Sequence, residues 1–299
     1  MKPFFTAIAL TLTLFLIQSC SSSSKLTSAA SDVANASSHE GHNGSHSHIS
    51  ASGGNHHGSY SEHLESDVGN AIATLRVPSK ITPNTSIPLV IEVQDRNGKA
   101  IPNFERFQEQ LIHLIIVSDD LQNFNHIYPI YKGNGRFEVQ ANFPSPGGYT
   151  LFSDYKPAGK AEQVSVLKAQ VPGQSPAPSK IDPTTTKTLG DTKASLKLSQ
   201  TTLKAGQEVH LIFNLQDAVT NQPLNDLQPY LGERGHLVIL KQSLPLTKND
   251  YIHAHALKDT LVGEVHFITR FPQPGNYKLW GQFNRNGKIV TADFWVNVE

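Results

Sequence analysis

Short apolar runs alternate with polar positions over most of the chain after residue 67, and turn residues separate them. In the C-terminal third and a little beyond, the runs predict seven strands: roughly 194–199, 207–216, 235–241, 251–257, 263–271, 277–284 and 288–298. The period-three or period-four spacing of an amphipathic helix is almost absent. The pattern therefore predicts an all-β fold.

The same strand pattern occurs twice. SIPLVIEVQ at 86–94 resembles QEVHLIFNLQ at 207–216, and FPSPGGYTLF at 143–152 resembles FPQPGNYKLW at 271–280. A duplication of this length is domain-sized, and it predicts two tandem β-sandwiches over 68–171 and 192–299. A Pro/Ser/Thr-rich linker over 172–191 is expected to join them in a semi-extended form.

Two tyrosines indicate the kind of sandwich. Tyr149 and Tyr277 each follow a Pro-Gly turn at the start of a strand, where a tyrosine in a Greek-key sandwich often bonds back across the corner. We therefore expect two immunoglobulin-like Greek-key β-sandwiches with these tyrosines as structural residues. The core candidates of the second copy are Phe271, Trp280, Phe283 and Phe294.

The stretch from 235 to 257 contains two apolar runs, HLVIL and YIHAHAL, joined by a polar loop, which is typical of an antiparallel hairpin. Side chains alternate along a strand, so His253 and His255 share one face. In a symmetric hairpin the facing residue numbers sum to about 491, which places His236 opposite His255. Three converging imidazoles can hold a metal ion; the simpler interpretation is three solvent-facing or hydrogen-bonded histidines.

The first copy carries a reduced form of this hairpin. His113 and His126 are retained, but Tyr128 occupies the place of the third histidine. Two imidazoles are too few for a strong site unless Asp119, Asp120 or a neighbouring chain adds a ligand. We therefore expect His113 and His126 to form a weaker metal site or to be purely structural.

Ligand chemistry narrows the possible metal. Cys20 and Met1 are the only sulfur-containing residues of the chain, so the folded copies offer neither thiolate nor thioether. A blue-copper centre is thereby excluded, and imidazole ligands favour Cu²⁺, with Zn²⁺ and Ni²⁺ as alternatives. His266 lies on another strand and is a weaker candidate ligand, and His210 is expected to be structural or solvent-facing. No organic cofactor is expected.

The N-terminus resembles a bacterial lipoprotein signal over residues 1–20. An uncharged apolar run follows Lys2 and ends in LIQSC, a sequence similar to the lipobox, with Cys20 as the lipidated residue. An ordinary secretory signal that is cleaved elsewhere is the alternative. The lipoprotein analogy implies attachment to the bilayer through an acyl anchor on Cys20, in the cell envelope and on the outer membrane facing the periplasm.

Residues 21–67 are rich in Ser, Ala, Gly, Asn and His and lack apolar periodicity, which predicts a disordered tether. Neutral imidazoles in such a segment can bind divalent ions weakly and interchangeably. A compositionally biased spacer without metal function is the alternative. The tether carries seven of the fourteen histidines of the chain: His39, His42, His46, His48, His56, His57 and His63.

Charge and motifs exclude several function classes. Lys plus Arg and Asp plus Glu are equal at 25 each, so no strong field attracts nucleic acid. The chain contains no G-x-S-x-G elbow, phosphate-cradling glycine loop or H-E-x-x-H motif. A binding protein is therefore favoured over an enzyme.

HLIIVSDDLQNFNHIYP at 113–129, the two FP-x-PG segments, GHLVIL and HAH together resemble the YtkA-like family of secreted bacterial domains. The resemblance covers roughly 68–298. In that family the hairpin reads H-L-x-V-x-S-x-D-L-x-x-F-x-H-x-H-P; Tyr128 departs from it in the first copy, and Ala256 and a longer loop depart from it in the second. The resemblance implies an immunoglobulin-like sandwich, export, and an association with copper or other heavy-metal handling.

Together these features predict a lipid-anchored envelope protein that binds a divalent transition metal, with copper favoured, for tolerance or delivery. A metal efflux or delivery system would be its partner. The competing hypothesis is an envelope adaptor that docks a transporter or surface partner and has no specific metal site.

Overall fold

The computed structural model describes residues 71–177, 180–258 and 260–299. The predicted signal segment with Cys20, the tether and its seven histidines lie outside the described residues. Within them the fold is all-β, and the single helical segment is one 3-10 turn at Lys248–Asp250. No helix in the described ranges is therefore long and apolar enough to cross a bilayer.

The first domain is a sandwich of two antiparallel sheets. One has the strand order β1-β2-β7-β6; the other has the order β3-β8-β4-β5, with β9 also pairing β8. The strands are β1 (Ala71–Arg76), β2 (Ser86–Asp95), β3 (Phe104–Glu105), β4 (Ile112–Ser118), β5 (Phe124–Ile127), β6 (Ile130–Gly133), β7 (Arg136–Asn142), β8 (Gly147–Pro157) and β9 (Gln163–Val171).

The second domain repeats this plan. Its sheets have the orders β10-β11-β12-β16 and β13-β17-β14-β15, with β18 pairing β17. The strands are β10 (Thr186–Leu189), β11 (Thr192–Leu198), β12 (Glu208–Asp217), β13 (Leu227–Gln228), β14 (His236–Lys241), β15 (Tyr251–His255), β16 (Glu264–Arg270), β17 (Gly275–Arg285) and β18 (Lys288–Val298).

Both domains are immunoglobulin-like sandwiches, as predicted, and both have the expected corner. Tyr149 donates its hydroxyl hydrogen to the carbonyl of Ser145 at 2.9 Å, and Tyr277 donates to the carbonyl of Gln273 at 2.8 Å. The seven strands predicted for the second copy are all present within a few residues of their expected ends. Two strands of this domain were missed: β10, which lies inside the predicted linker and pairs with β11, and the two-residue β13, which pairs with β17.

Each sandwich has its own hydrophobic core, and a third apolar cluster joins the two domains, which lie in one compact unit. Phe271, Phe283 and Phe294 belong to the core of the second domain. Trp280 was predicted there too but belongs to the third cluster, because it points away from the sandwich. The buried members of this interdomain cluster are Ile115, Val117, Leu121, Phe152, Val238, Leu240, Leu246, Trp280 and Trp295.

Equivalent residues meet across this interface in pairs. Phe124 stacks on Trp280 with ring centroids 4.8 Å apart and 13° between the planes, and Tyr251 stacks on Phe152 with the same distance and angle. Phe124 and Tyr251 begin β5 and β15, while Phe152 and Trp280 occupy equivalent positions on β8 and β17. The domains thus pack through the same sheet face, related by an approximate two-fold axis.

Candidate functional site

The histidine hairpin has the predicted register. β14 and β15 pair antiparallel, with His236 opposite His255 and Val238 opposite His253. The two facing histidines differ in environment, however. His236 is 1% exposed, whereas His255 is exposed and its Nδ1 lies 2.8 Å from the Gln108 amide nitrogen of the first domain.

Packing of the domains brings the histidines of the first copy against those of the second. His113, His126 and His236 each offer one ring nitrogen, and these three atoms lie within 4.8 Å of one another. All three residues are buried. The ring of His253 lies 4.4 Å from that of His236, centroid to centroid. A cluster of imidazoles therefore lies between the domains, with ligand-capable residues from both.

The hydrogen bonds around the first-domain pair set the tautomers. His113 Nε2 lies 3.2 Å from the carbonyl oxygen of Phe107, and His126 Nδ1 lies 2.8 Å from Oε1 of Gln282. Carbonyl oxygens only accept, so these two nitrogens carry the hydrogens and the other nitrogen of each ring has a free lone pair. Those remaining nitrogens, His113 Nδ1 and His126 Nε2, face each other at 3.0 Å.

The second-domain pair leaves nitrogen atoms without partners. Neither ring nitrogen of His236 has a hydrogen-bond partner among the described residues, and Nε2 of His253 has none. His253 Nδ1 lies 3.1 Å from Oδ2 of Asp154, on β8 of the first domain. A buried polar atom without a partner costs about 1–3 kcal/mol, so His236 in particular calls for a bound group.

Burial keeps the imidazoles neutral. Burial, together with a smaller effect of neighbouring histidines, lowers the pKa of His113 to about 2 and that of His126 to about 3. Burial also lowers the pKa of His253, and it puts that of His236 well below its usual range. Neutral imidazole is the form that can bind a metal ion, and these residues have that form at physiological pH.

A pair of carboxyl groups lies beside His253. Burial raises the pKa of Asp154 to about 7, and burial together with the charge of Asp154 raises the pKa of Glu162 to about 8. Asp154, Glu162 and His253 also offer ligand atoms that lie within 4.8 Å of one another.

The other predicted candidates lie elsewhere. His266 is on β16, in the other sheet, and its Nε2 is 2.6 Å from a carboxylate oxygen of Glu264. Neither Asp119 nor Asp120 belongs to a metal-competent group among the described residues. The third ligand-capable residue beside His113 and His126 is His236 of the second domain.

Sequence reasoning missed Asp154, Glu162 and Gln282, because they approach the histidines only after the domains pack. One sequence signal pointed to that packing. β4 is buried at every position, and β14 at every position but its last, whereas a sandwich strand with one solvated face alternates. The continuous apolar runs HLIIV and HLVIL indicate a sheet that is covered on both faces.

The fold and this cluster define a class: tandem immunoglobulin-like domains that enclose buried imidazoles between them. The chain belongs to the family described as a domain of unknown function, DUF8832, whose model matches residues 66–171 and 187–299. Among curated proteins, no sequence matches it.

Several solved structures are similar at low identity. The Escherichia coli adhesin FdeC is 14% identical with a TM-score of 0.25, and the match covers 76% of this chain and 64% of the adhesin chain. Invasin, a bacterial integrin-binding protein, is 13% identical with a TM-score of 0.22, covering 74% of this chain and 39% of its own. Salmonella alpha-2-macroglobulin is 15% identical with a TM-score of 0.27, over 77% of this chain and 15% of its own.

Proposed function

We propose that this protein is a cell-envelope metal-binding protein that holds a divalent transition-metal ion between its two domains. His113, His126 and His236 supply the ligands. The observation that carries the proposal is His236, which is 1% exposed and has two ring nitrogens without a hydrogen-bond partner. A metal ion bound to one of them removes a desolvation cost that the described protein atoms do not offset.

The facing lone pairs support the same conclusion. Two nitrogen ligands on one ion with bonds of about 2.0–2.1 Å are separated by roughly 2.9–3.4 Å, from square to tetrahedral angles. His113 Nδ1 and His126 Nε2 are 3.0 Å apart. With their other nitrogens donating to Phe107 and Gln282, these lone pairs repel each other unless a positive centre lies between them.

The donor set favours Cu²⁺. Three neutral imidazoles without sulfur suit Cu²⁺, Zn²⁺ or Ni²⁺, and among these Cu²⁺ binds most tightly by the usual divalent order. The absence of Cys and Met ligands from the folded copies disfavours Cu⁺ and therefore a redox relay. Capture or delivery of the ion is the role proposed, without catalysis.

The cellular setting is part of the proposal. The lipobox-like LIQSC predicts an acyl anchor on Cys20, and the seven tail histidines would bind ions loosely near the membrane. Similarity to YtkA-like domains supports export and metal handling. A metal efflux or delivery system is the partner that this role requires.

The test uses the chain with its seven tail histidines replaced by asparagine, so that only the folded domains bind. We expect calorimetry with Cu²⁺ to detect tight binding, and electron paramagnetic resonance to detect nitrogen ligands. His236→Asn should weaken this binding at least a hundredfold, while His266→Asn, outside the cluster, should not change it. Absence of Cu²⁺ binding to the histidine cluster would overturn the proposal and favour an envelope adaptor.

A further inference from the structure

A second group of ligand-capable residues lies beside the histidine-only cluster and shares none of its three ligands. Asp154 lies on β8, Glu162 lies in the loop between β8 and β9, and His253 lies on β15 of the other domain. One oxygen from each carboxyl group and one nitrogen of His253 lie within 4.8 Å of one another.

One carboxyl group of this set is fully buried, the other is partly buried, and neither has a lysine or arginine partner among the described residues. Asp154 has a fully buried side chain, and its Oδ1 has no hydrogen-bond partner among the described residues. Its Oδ2 meets His253 Nδ1 at 3.1 Å and the Tyr251 hydroxyl at 3.5 Å. Glu162 lies beside Asp154, and in the described part of the chain no lysine or arginine forms an ion pair with either residue.

In its ionised form such an arrangement is costly unless a cation joins it. Two carboxyl groups in contact repel each other when ionised, and burial strengthens that repulsion. Buried charges in proteins are paired or coordinate metal ions. The unpartnered Oδ1 of Asp154 gives the set a free oxygen ligand, and the side chain of His253 is held in place with only 5% exposed.

We propose that Asp154, Glu162 and His253 form a second metal site. It binds Zn²⁺ or another divalent ion that accepts mixed nitrogen and oxygen ligands. One imidazole nitrogen and two carboxylate oxygens are ligand types that Zn²⁺ accepts in proteins. The neighbouring set of three imidazoles favours Cu²⁺. The protein therefore holds two divalent ions side by side at the domain interface, one bound by imidazoles alone and one by mixed nitrogen and oxygen ligands.

A simpler role for Asp154 is to orient His253 by accepting its Nδ1 hydrogen, as carboxylates do behind metal-bound histidines. Glu162 separates the two roles. An orienting function requires Asp154 alone, whereas a second site uses the Glu162 carboxylate as a ligand. Glu162 is only partly buried, so Glu162→Gln preserves its shape and should fold.

The experiment measures bound metal in the chain with asparagine at the seven tail positions, after equilibration with Cu²⁺ and Zn²⁺ together and gel filtration. We expect two equivalents of bound metal ion per chain. Glu162→Gln should lose one equivalent and weaken Zn²⁺ binding about a hundredfold, while the ion dependent on His236 remains. Glu138→Gln, a glutamate bonded to Arg136 on β7, is the matched control and should retain both ions.

Each other result has a distinct meaning. No bound metal in the parent chain, or an amount of bound metal that Glu162→Gln leaves unchanged, would overturn the second site, and the latter result would assign Asp154 an orienting role. One equivalent that is lost in Glu162→Gln but kept in His236→Asn would support the second site and contradict the histidine-only site instead.

Discussion

His126 of the first domain and Gln282 of the second are hydrogen-bonded across the interface, with 2.8 Å between Nδ1 and Oε1. The equivalent contact in the other direction joins His253 to Asp154 at 3.1 Å. Gln282 lies opposite His236 on β17, and Asp154 lies opposite His113 on β8. Each domain therefore orients a histidine of the other, and the imidazole cluster depends on both domains.

Gln282→Leu tests this orienting contact. The substitution removes the acceptor of the His126 Nδ1 hydrogen, so the ring loses the tautomer that presents Nε2 to an ion. Loss of such a contact typically weakens metal binding about 10–100-fold. Competition titration with a copper chelator measures the change. Gln273→Leu, in the exposed turn before β17, is the control, and equal affinities in the two variants would contradict the role of Gln282.

The parts of this structure that local pattern determines were predictable. Alternating side chains and turn residues specify the seven strands of the second copy, and the Pro-Gly-x-Tyr turn specifies the corner bonds of Tyr149 and Tyr277. The register that places His236 opposite His255 also follows from one hairpin. These features depend on residues that are close in sequence.

The composition of the site was not predictable in this way, since it depends on contacts between residues more than a hundred positions apart. The distance between His113 and His236 is set by how two sheets pack, and no local rule gives that packing. The hairpin alone suggested His255 as the third ligand, but β15 carries it to the exposed edge, where it meets Gln108. The proposed three-histidine set instead joins His236 with His113 and His126, which the sequence analysis assigned to a separate site in the first copy.

His255→Ala distinguishes the hairpin hypothesis from the interdomain one. If His113, His126 and His236 hold the ion, removing the exposed His255 should change Cu²⁺ affinity less than about threefold, or under ~0.7 kcal/mol. Calorimetry on the chain without tail histidines measures this. A loss of a hundredfold or more would return His255 to the ligand set, as first predicted from the hairpin.

The stacked aromatic pairs should govern both stability and affinity. Trp280→Ala removes the partner of Phe124 and leaves a cavity in the interdomain cluster, for which a cost of about 3–5 kcal/mol is typical. Because the ligands come from both domains, we also expect Cu²⁺ affinity to fall at least tenfold. Urea unfolding and chelator competition measure the two effects. Ile289→Ala, at an exposed position, is the control and should change neither the stability nor the Cu²⁺ affinity. An unchanged Cu²⁺ affinity in Trp280→Ala would show that the packing of the two domains does not depend on this contact.

A substitution at the corner tyrosine Tyr277 should change the stability of the fold without changing its affinity for metal. Tyr277→Phe deletes the hydroxyl that donates to Gln273 at 2.8 Å and leaves that ring in the second core. We expect a loss of about 0.5–1.5 kcal/mol in the free energy of unfolding. Metal affinity should stay unchanged, because the corner lies in a turn outside the cluster. A large change in affinity would indicate that the whole sandwich, rather than its interface, adjusts to the ion.

The buried imidazoles also make the metal-free protein sensitive to acid. The pKa values of His113 and His126 in the folded protein, about 2 and about 3, lie below the usual histidine value of 6.5. At a pH between these folded-state values and 6.5, the two histidines bind protons only in the unfolded chain. Their contribution to stability is complete above about pH 6.5 and falls by about 1.4 kcal/mol per pH unit for each histidine as the pH decreases. Asp154 and Glu162 have raised pKa values and act with the opposite sign. A comparison of variants is therefore needed to isolate the histidines.

The comparison uses urea unfolding of the metal-free chain in chelator at pH 7.5 and pH 5.5. Replacing His113 and His126 together by leucine removes two groups that must stay unprotonated, so the variant should lose less stability on acidification than the parent. The expected difference between the two losses is about 2–3 kcal/mol, from one pH unit below 6.5 for each of two histidines. His210→Leu, a histidine on β12 outside the cluster, should behave as the parent does. Equal losses in the parent and the double variant would mean that the interface opens and admits the protons before the domains unfold.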